Sequence, residues 1–108
     1  MRKLLFTSTL SAIALLAQGN APKNLKVLTP QEVRSGMAMA VAGLGVTCNE
    51  CHVADRASDE KEDKVTARAM FAMMKEINAN PATMAKVTCY TCHHGQKEPV
   101  NAAPAAAK

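Results

Sequence analysis

The chain places all four of its cysteines in two copies of one five-residue motif: Cys48-Asn49-Glu50-Cys51-His52 and Cys89-Tyr90-Thr91-Cys92-His93. We call residues 48–52 the first pentad and residues 89–93 the second pentad. Cys-x-x-Cys-His is the attachment sequence of haem c. The spacing suits this chemistry, because the two thiols can each form a thioether with one porphyrin vinyl group while the following imidazole reaches the iron. The motif predicts two covalent haems.

Other uses of four cysteines explain the motif less well. Disulfide bonds are common in secreted proteins, but they do not predict a histidine after each cysteine pair. A zinc site is the next alternative, yet the segment between Cys51 and Cys89 is longer than the roughly 15–20 residues usual between such pairs. A thioredoxin-like redox pair needs a βαβ setting, and the sequence has no strand pattern.

The N-terminus has the layout of a secretory signal peptide. It begins Met1-Arg2-Lys3 and continues as a mostly apolar run from Leu4 to Ala17, followed by small and polar residues. The run is shorter than the ~20 residues that span a bilayer as a helix, which disfavours the alternative of a retained membrane anchor. We predict a signal peptide over residues 1–19 and a protein of the periplasm or the extracellular space.

The composition argues against a core of large side chains. The chain has no Trp, one Tyr and two Phe, and domains this small usually need a staple to fold. Two porphyrins would fill the middle. The 13 Lys and Arg against 9 Asp and Glu include two cations of the leader, and haem propionates would offset the rest. The charge therefore does not predict nucleic-acid binding.

Two helices are predicted, one before each pentad. Thr29-Pro30-Gln31-Glu32 resembles a capping box with Pro at the first helical position, and the helix would end at Gly43 and Gly45. The second helix is predicted from about residue 63 to residue 78. Its apolar residues recur at amphipathic spacing: Thr66, Met70, Met73, Met74 and Ile77.

The coarse organisation is a repeat of helix and pentad. A turn or short helix over residues 82–85 precedes the second pentad, and no strand pattern is present. We predict an all-α fold in which a few helices pack on haems, with much irregular structure. The domain covers residues 20–99, and residues 100–108 form a flexible tail rich in Ala and Pro.

Four segments of the chain resemble one known family, the cytochrome c subunit of photosynthetic reaction centres. They are residues 45–52, residues 64–73, residues 77–80 and the stretch Val87-Thr88-Cys89-Tyr90-Thr91-Cys92-His93. The resemblance covers nearly all of the predicted mature chain. The family's subunit is a tetrahaem protein built from two dihaem halves, so the resemblance implies one half standing alone, most like the C-terminal half. It also implies a helix alongside each haem.

The axial ligands of the first haem follow from the motif and from the resemblance. His52 and His93 are the proximal ligands that the two pentads supply. In the family, a Met on the helix preceding the pentad completes three of the four haems. The resemblance therefore implies Met37 as the distal ligand of the first haem, with Met39 as the nearby alternative.

The distal ligand of the second haem has several candidates. In the family, the fourth haem takes its distal histidine from the other half, which this sequence does not match. The local methionines are Met70, Met73, Met74 and Met84, and Met70 and Met73 are preferred because they lie on the helix before the pentad. Packing against porphyrin is the alternative role for these side chains.

His94 is the one histidine outside the pentads. It is either an exposed or propionate-bonding residue, or the distal ligand of a haem in a neighbouring copy. The family usually has a basic residue at this position. A contact of the second kind would repeat without closing and would form a filament.

These observations predict an electron carrier rather than an enzyme. The protein would act as a periplasmic shuttle or an extracellular conduit, with redox proteins or a membrane-associated electron-transfer complex as partners. A polymeric, conductive haem filament is one alternative. A dihaem peroxidase-like enzyme with one open iron is the other, although no spare acid or base other than His94 is present.

Overall fold

The structure is a computed structural model that describes residues 21–103 and residue 105. The predicted signal peptide lies outside the described residues, as do positions 104 and 106–108 of the predicted tail. The chain forms helix α1 (Val33–Leu44), a 3₁₀ turn (Cys48–Glu50), helix α2 (Glu62–Ala79) and helix α3 (Cys89–His93). No strand occurs among the described residues, and the all-α prediction is confirmed.

Helix α1 begins after the predicted capping box, because its N-cap is Glu32 rather than Thr29 and residues 30–32 form a turn. The backbone N–H of Thr29 donates to Oε2 of Glu32 at 2.8 Å, while no cap from a Thr29 hydroxyl is present. The helix ends at Gly45, whose φ of 64° is left-handed and suits glycine at a helix C-terminus. Gly43 was predicted to end the helix, but it lies inside α1 and is buried.

Helix α2 carries two acidic residues in its first turn, Glu62 and Asp63, which interact favourably with the helix dipole. It ends where the N–H of Asn80 donates to the carbonyl oxygens of Glu76 and Ile77. Within the described segments, no helix has both the length and the apolar character needed to cross a membrane.

Phe71 forms the contact between α1 and α2. It is the only buried apolar side chain among the described residues, at 6% exposure. A Cβ placed on Gly36 of α1 would lie 3.4 Å from Cε1 of Phe71, so the ring packs against this part of α1. Part of the predicted apolar stripe of α2 lies on another face, where Met70 and Met73 are 45% and 46% exposed, while Met74 lines a cavity together with Phe71. Periodicity found the stripe but missed the residue that packs.

Helix α3 consists of the second pentad itself. Its N-terminus has a capping box in which Thr88 and Thr91 each accept a hydrogen bond from the other's backbone N–H. The sequence Thr88-x-x-Thr91 carried this signal, although we predicted only that a turn precedes the pentad. The amide of Asn78 joins α2 to the residue before this cap, because it donates to Val87 O at 2.9 Å and accepts from Val87 N at 2.8 Å.

Candidate haem-binding site

The first pentad turns tightly after α1. Its cysteines lie at either end of the 3₁₀ turn, and the N–H of His52 donates to Cys48 O at 3.0 Å. Nδ1 of His52 lies 3.2 Å from the carbonyl oxygen of Arg56. A carbonyl partner keeps the proton on Nδ1, so Nε2 is the nitrogen left to ligate a metal. Burial also lowers the pKa of His52, which favours the neutral imidazole that metals bind.

The second pentad repeats this arrangement on a regular helix. Nδ1 of His93 lies 3.1 Å from the carbonyl oxygen of Gln96, and Nε2 again remains for a metal. Sequence reasoning identified both histidines but not the two carbonyls, because any residue can supply a backbone acceptor. The same orientation in both pentads fits proximal haem ligation at each.

A cavity of about 370 Å³ adjoins the first pentad. Its wall includes Cys48, Cys51 and His52 on one side and Met37 of α1 on another. Most of the remaining wall is apolar, including Leu28, Val41, Leu44, Val46 and Phe71. A largely apolar pocket that contains two thiols, an imidazole and a thioether suits a porphyrin.

Met39 lines a different cavity of about 450 Å³, together with Met74 and Lys75. The two methionines considered for the first haem therefore project to different sides of α1. Only Met37 shares a cavity with the first pentad. Position along the sequence could not separate the two candidates, but their direction from the helix does.

Cationic side chains lie at the wall of the first cavity, which includes Lys64 and Arg68. The Lys64 side chain is 12% exposed, and its Nζ lies 3.2 Å from Oδ1 of Asp59. The Arg68 side chain is 17% exposed, and its guanidinium lies 2.9 Å from the same oxygen. The hydrogen bond from Arg68, followed by that from Asn24, holds the pKa of Asp59 well below its usual range. Such cations fit the negatively charged propionates of a haem. Sequence reasoning assigned them no role.

The cysteines are all free thiols, the form that adds to vinyl groups. Burial raises the pKa of Cys51 and of Cys89, so these two thiols are held in the protonated state. Among the described residues, no group of three or more His, Cys, Asp or Glu side chains is arranged to hold a metal ion.

The surroundings of the second pentad are more open. Tyr90 is 57% exposed, and the ring of His94 lies 5.4 Å from it between centroids. His94 is exposed and has a left-handed φ of 54°. Met70 and Met73 lie on the exposed face of α2, and Met84 is fully exposed. None of these candidates lines either cavity.

The second helix-and-pentad repeat also differs from the first at one equivalent sequence position. Asn78 precedes Cys89 by the same number of residues as Met37 precedes Cys48. Both polar groups of the Asn78 amide are bonded to Val87, so this residue links two elements. The helix-and-pentad repeat therefore does not place a second methionine where the first unit has Met37.

Comparison with known proteins gives a family match over most of the chain. The family model described as "Photosynthetic reaction centre cytochrome C subunit" matches residues 19–106. The "Photosynthetic reaction center cytochrome c subunit" of Rubrivivax gelatinosus is 40% identical over 55 residues, which is 48% of this chain and 15% of that protein. The protein of the same name from Thermochromatium tepidum is 45% identical over 56 residues, 48% of this chain and 14% of that protein.

The matched stretches therefore span about 15% of the length of these curated relatives. No solved structure matches the chain significantly. The resemblance found in the sequence is confirmed by the family match.

Proposed function

Since the chain belongs to the photosynthetic reaction centre cytochrome c subunit family, we propose that it transfers electrons through two covalently bound c-type haems. The observation that carries this proposal is the pair of pentads, each with a histidine whose Nδ1 faces a backbone carbonyl. When bound, each haem supplies one iron that accepts and donates a single electron. The chain's own residues attach, orient and enclose it.

At the first site, Cys48 and Cys51 form the thioethers and Nε2 of His52 is the proximal ligand. Met37 lies in the wall of the same cavity and is the distal ligand. A thioether ligand raises the potential of the iron relative to a second imidazole. Arg56 holds the proximal ring through its carbonyl oxygen, and Lys64 and Arg68 at the cavity wall would interact with the haem propionates.

At the second site, Cys89 and Cys92 form the thioethers and Nε2 of His93 is the proximal ligand. The distal ligand is Met70 or Met73 of α2, or His94 of a second copy. Met74 lines the cavity that contains Met39, which makes it a weaker candidate. The iron of the second haem is therefore where the two helix-and-pentad units of the protein differ in function.

The test is spectroscopic and uses the purified holoprotein. Optical and electron paramagnetic resonance spectra should show two low-spin, six-coordinate haems, at least one of them with the weak red band of a Met–iron bond. Reductive titration should reduce both haem irons, with one electron for each. A high-spin haem that binds peroxide would contradict the proposed role as an electron carrier and would instead indicate a peroxidase-like enzyme.

We propose a periplasmic or extracellular location, reached through the predicted signal peptide over residues 1–19. The proposed partners of the protein are redox proteins, among them a membrane-associated electron-transfer complex. The propionates of two haems offset much of the positive charge of the chain, which has 13 Lys and Arg against 9 Asp and Glu.

A second candidate function is a conductive polymer joined through His94. The exposure of His94 favours this candidate, because a second copy can reach its ring, which lies beside Tyr90. The His94→Ala variant would lose the low-spin spectrum of one haem and would fail to form filaments in electron micrographs. Unchanged spectra and assembly in this variant would exclude the polymer.

A further inference from the structure

The end of α1 fits directly against the second pentad. A Cβ placed on Gly43 would lie 2.6 Å from Cβ of Cys89, 2.7 Å from N of Tyr90 and 2.9 Å from C of Cys89. Real Cβ atoms do not approach other atoms this closely, and two of these three neighbours are backbone atoms that cannot rotate away. Gly43 is therefore the residue that lets α3 pack against α1.

The same contact continues past the second pentad. The N–H of Gly95 donates to the carbonyl oxygen of Gly43 at 2.8 Å. A side chain on Gly45 would collide with the carbonyl oxygen of Gly95, and the φ of Gly45 is left-handed. The last turn of α1 thus meets both ends of the second pentad through backbone atoms.

Lys97 forms a second bridge between the two units. It follows the second pentad, and its Nζ lies 2.5 Å from Oε1 of Glu50 inside the first pentad. It also lies 3.2 Å from Oδ2 of Asp63 in the first turn of α2. The hydrogen bond to Glu50, followed by that to Asp63, raises the pKa of Lys97 above its usual value.

We propose that Gly43 and Lys97 are positioning residues that fix the separation and angle of the two haems. This inference rests on the proposed function. Helix α1 carries Met37 at the first site and ends just before the first pentad, while its last turn supports the second pentad. Electron transfer slows steeply as two redox centres move apart. Rigid backbone contact between the two attachment sites therefore keeps electron exchange between the haems fast and holds them in one arrangement.

The experiment compares three variants of the full-length holoprotein. Gly43→Ala requires α3 to move away from α1. Gly36→Ala is the matched control in the same helix, because its Cβ would meet only side-chain atoms, the tip of Leu28 at 3.0 Å and the ring of Phe71 at the ordinary contact distance of 3.4 Å. Lys97→Gln removes the charge that links the pentads and leaves the backbone contacts intact. Each variant is examined by intact mass and by circular dichroism in the Soret band, where two haems at a fixed angle give a paired positive and negative signal.

We expect Gly43→Ala to retain both haems by mass and to lose most of the paired signal, while Gly36→Ala keeps it. Lys97→Gln should show a smaller loss and decides the matter if Gly43→Ala does not accumulate. Variants at both positions that keep the wild-type signal with both haems attached would overturn the inference. A wild-type protein without covalent haem would instead overturn the proposed function, so the two failures are distinguishable.

Discussion

At the scale of single residues, Met37 and Met39 show how the structure refines the candidate site. They lie two positions apart on α1, and only Met37 lines the cavity of the first pentad. The Met37→Ala variant should lose the red absorption band of a Met–iron bond and lower the potential of one haem. The Met39→Ala variant is the control and should keep both properties. If Met39→Ala lost the band and Met37→Ala kept it, the distal ligand of the first haem would be Met39 rather than Met37.

Glu32 gives a prediction about pH. The hydrogen bond from Lys75, followed by that from the backbone of Thr29, lowers the pKa of Glu32 from 4.5 to about 2. Because the pKa is lower in the folded state, this carboxylate contributes stability above pH 4.5, and the contribution disappears as the pH falls towards 2. The urea midpoint of the holoprotein should therefore exceed that of Glu32→Gln at pH 6, with the difference vanishing near pH 2.

The control for this prediction is Glu60→Gln, since Glu60 is exposed and forms no ion pair among residues 21–103. It should leave the pH profile of the wild type unchanged. An equal difference between wild type and Glu32→Gln at both pH values would show that the pairing with Lys75 does not shift the titration.

Residue identity alone predicted the ligands with strong sequence signatures. The two pentads name six side chains, and spacing explains each of them. The orienting carbonyls of Arg56 and Gln96 had no signature, because their role depends on backbone direction rather than side-chain type. The separation of Met37 from Met39 likewise needed the direction of each side chain around α1.

At the scale of helices and turns, boundaries followed from local chemistry while packing faces did not. Helix α2 lies within about one residue of its predicted bounds at either end, whereas α1 begins at Val33 rather than at the predicted first residue Pro30. Acidic residues and glycine mark helix ends in the sequence. Periodicity did not single out Phe71, the residue of α2 that packs on α1. The ring of Phe71 packs against Gly36 of α1, and such a fit between two helices is not written in the periodicity of either one.

The link between α2 and the second pentad can be tested at this scale. Asn78→Ala removes two hydrogen bonds to Val87 at a partly buried position, and we expect it to lower the free energy of unfolding by about 1–3 kcal/mol. Asn80→Ala, which removes one exposed hydrogen bond to the backbone of Ala82, should cost less. Urea denaturation of the holoproteins measures both, and equal losses would argue against a special role for Asn78.

At the scale of the whole molecule, the described residues bury little apolar surface of their own. Phe71 is the single buried apolar side chain among them, and a domain of this size needs more than that to fold. The sequence predicted this dependence from the scarcity of aromatic residues. Under the proposed function, the two haems would serve as the core as well as the redox centres.

A chain that cannot attach haem should accordingly be unfolded. With all four cysteines replaced by alanine, the far-ultraviolet circular dichroism should lose most of the helical signal that the holoprotein gives. The single replacements Cys48→Ala and Cys89→Ala are the intermediate cases and should each lose part of it. Helix content equal to that of the holoprotein in the fourfold variant would show that the polypeptide folds without its cofactors.

The intact mass of the denatured holoprotein tests the central claim most directly. Thioether bonds survive denaturation, whereas ligated but unattached haem is released. The account predicts one species whose mass equals the polypeptide plus two haems, and a Cys89→Ala/Cys92→Ala variant that retains only one. A mass equal to the polypeptide alone, or lighter by the hydrogens lost in two disulfide bonds, would contradict it.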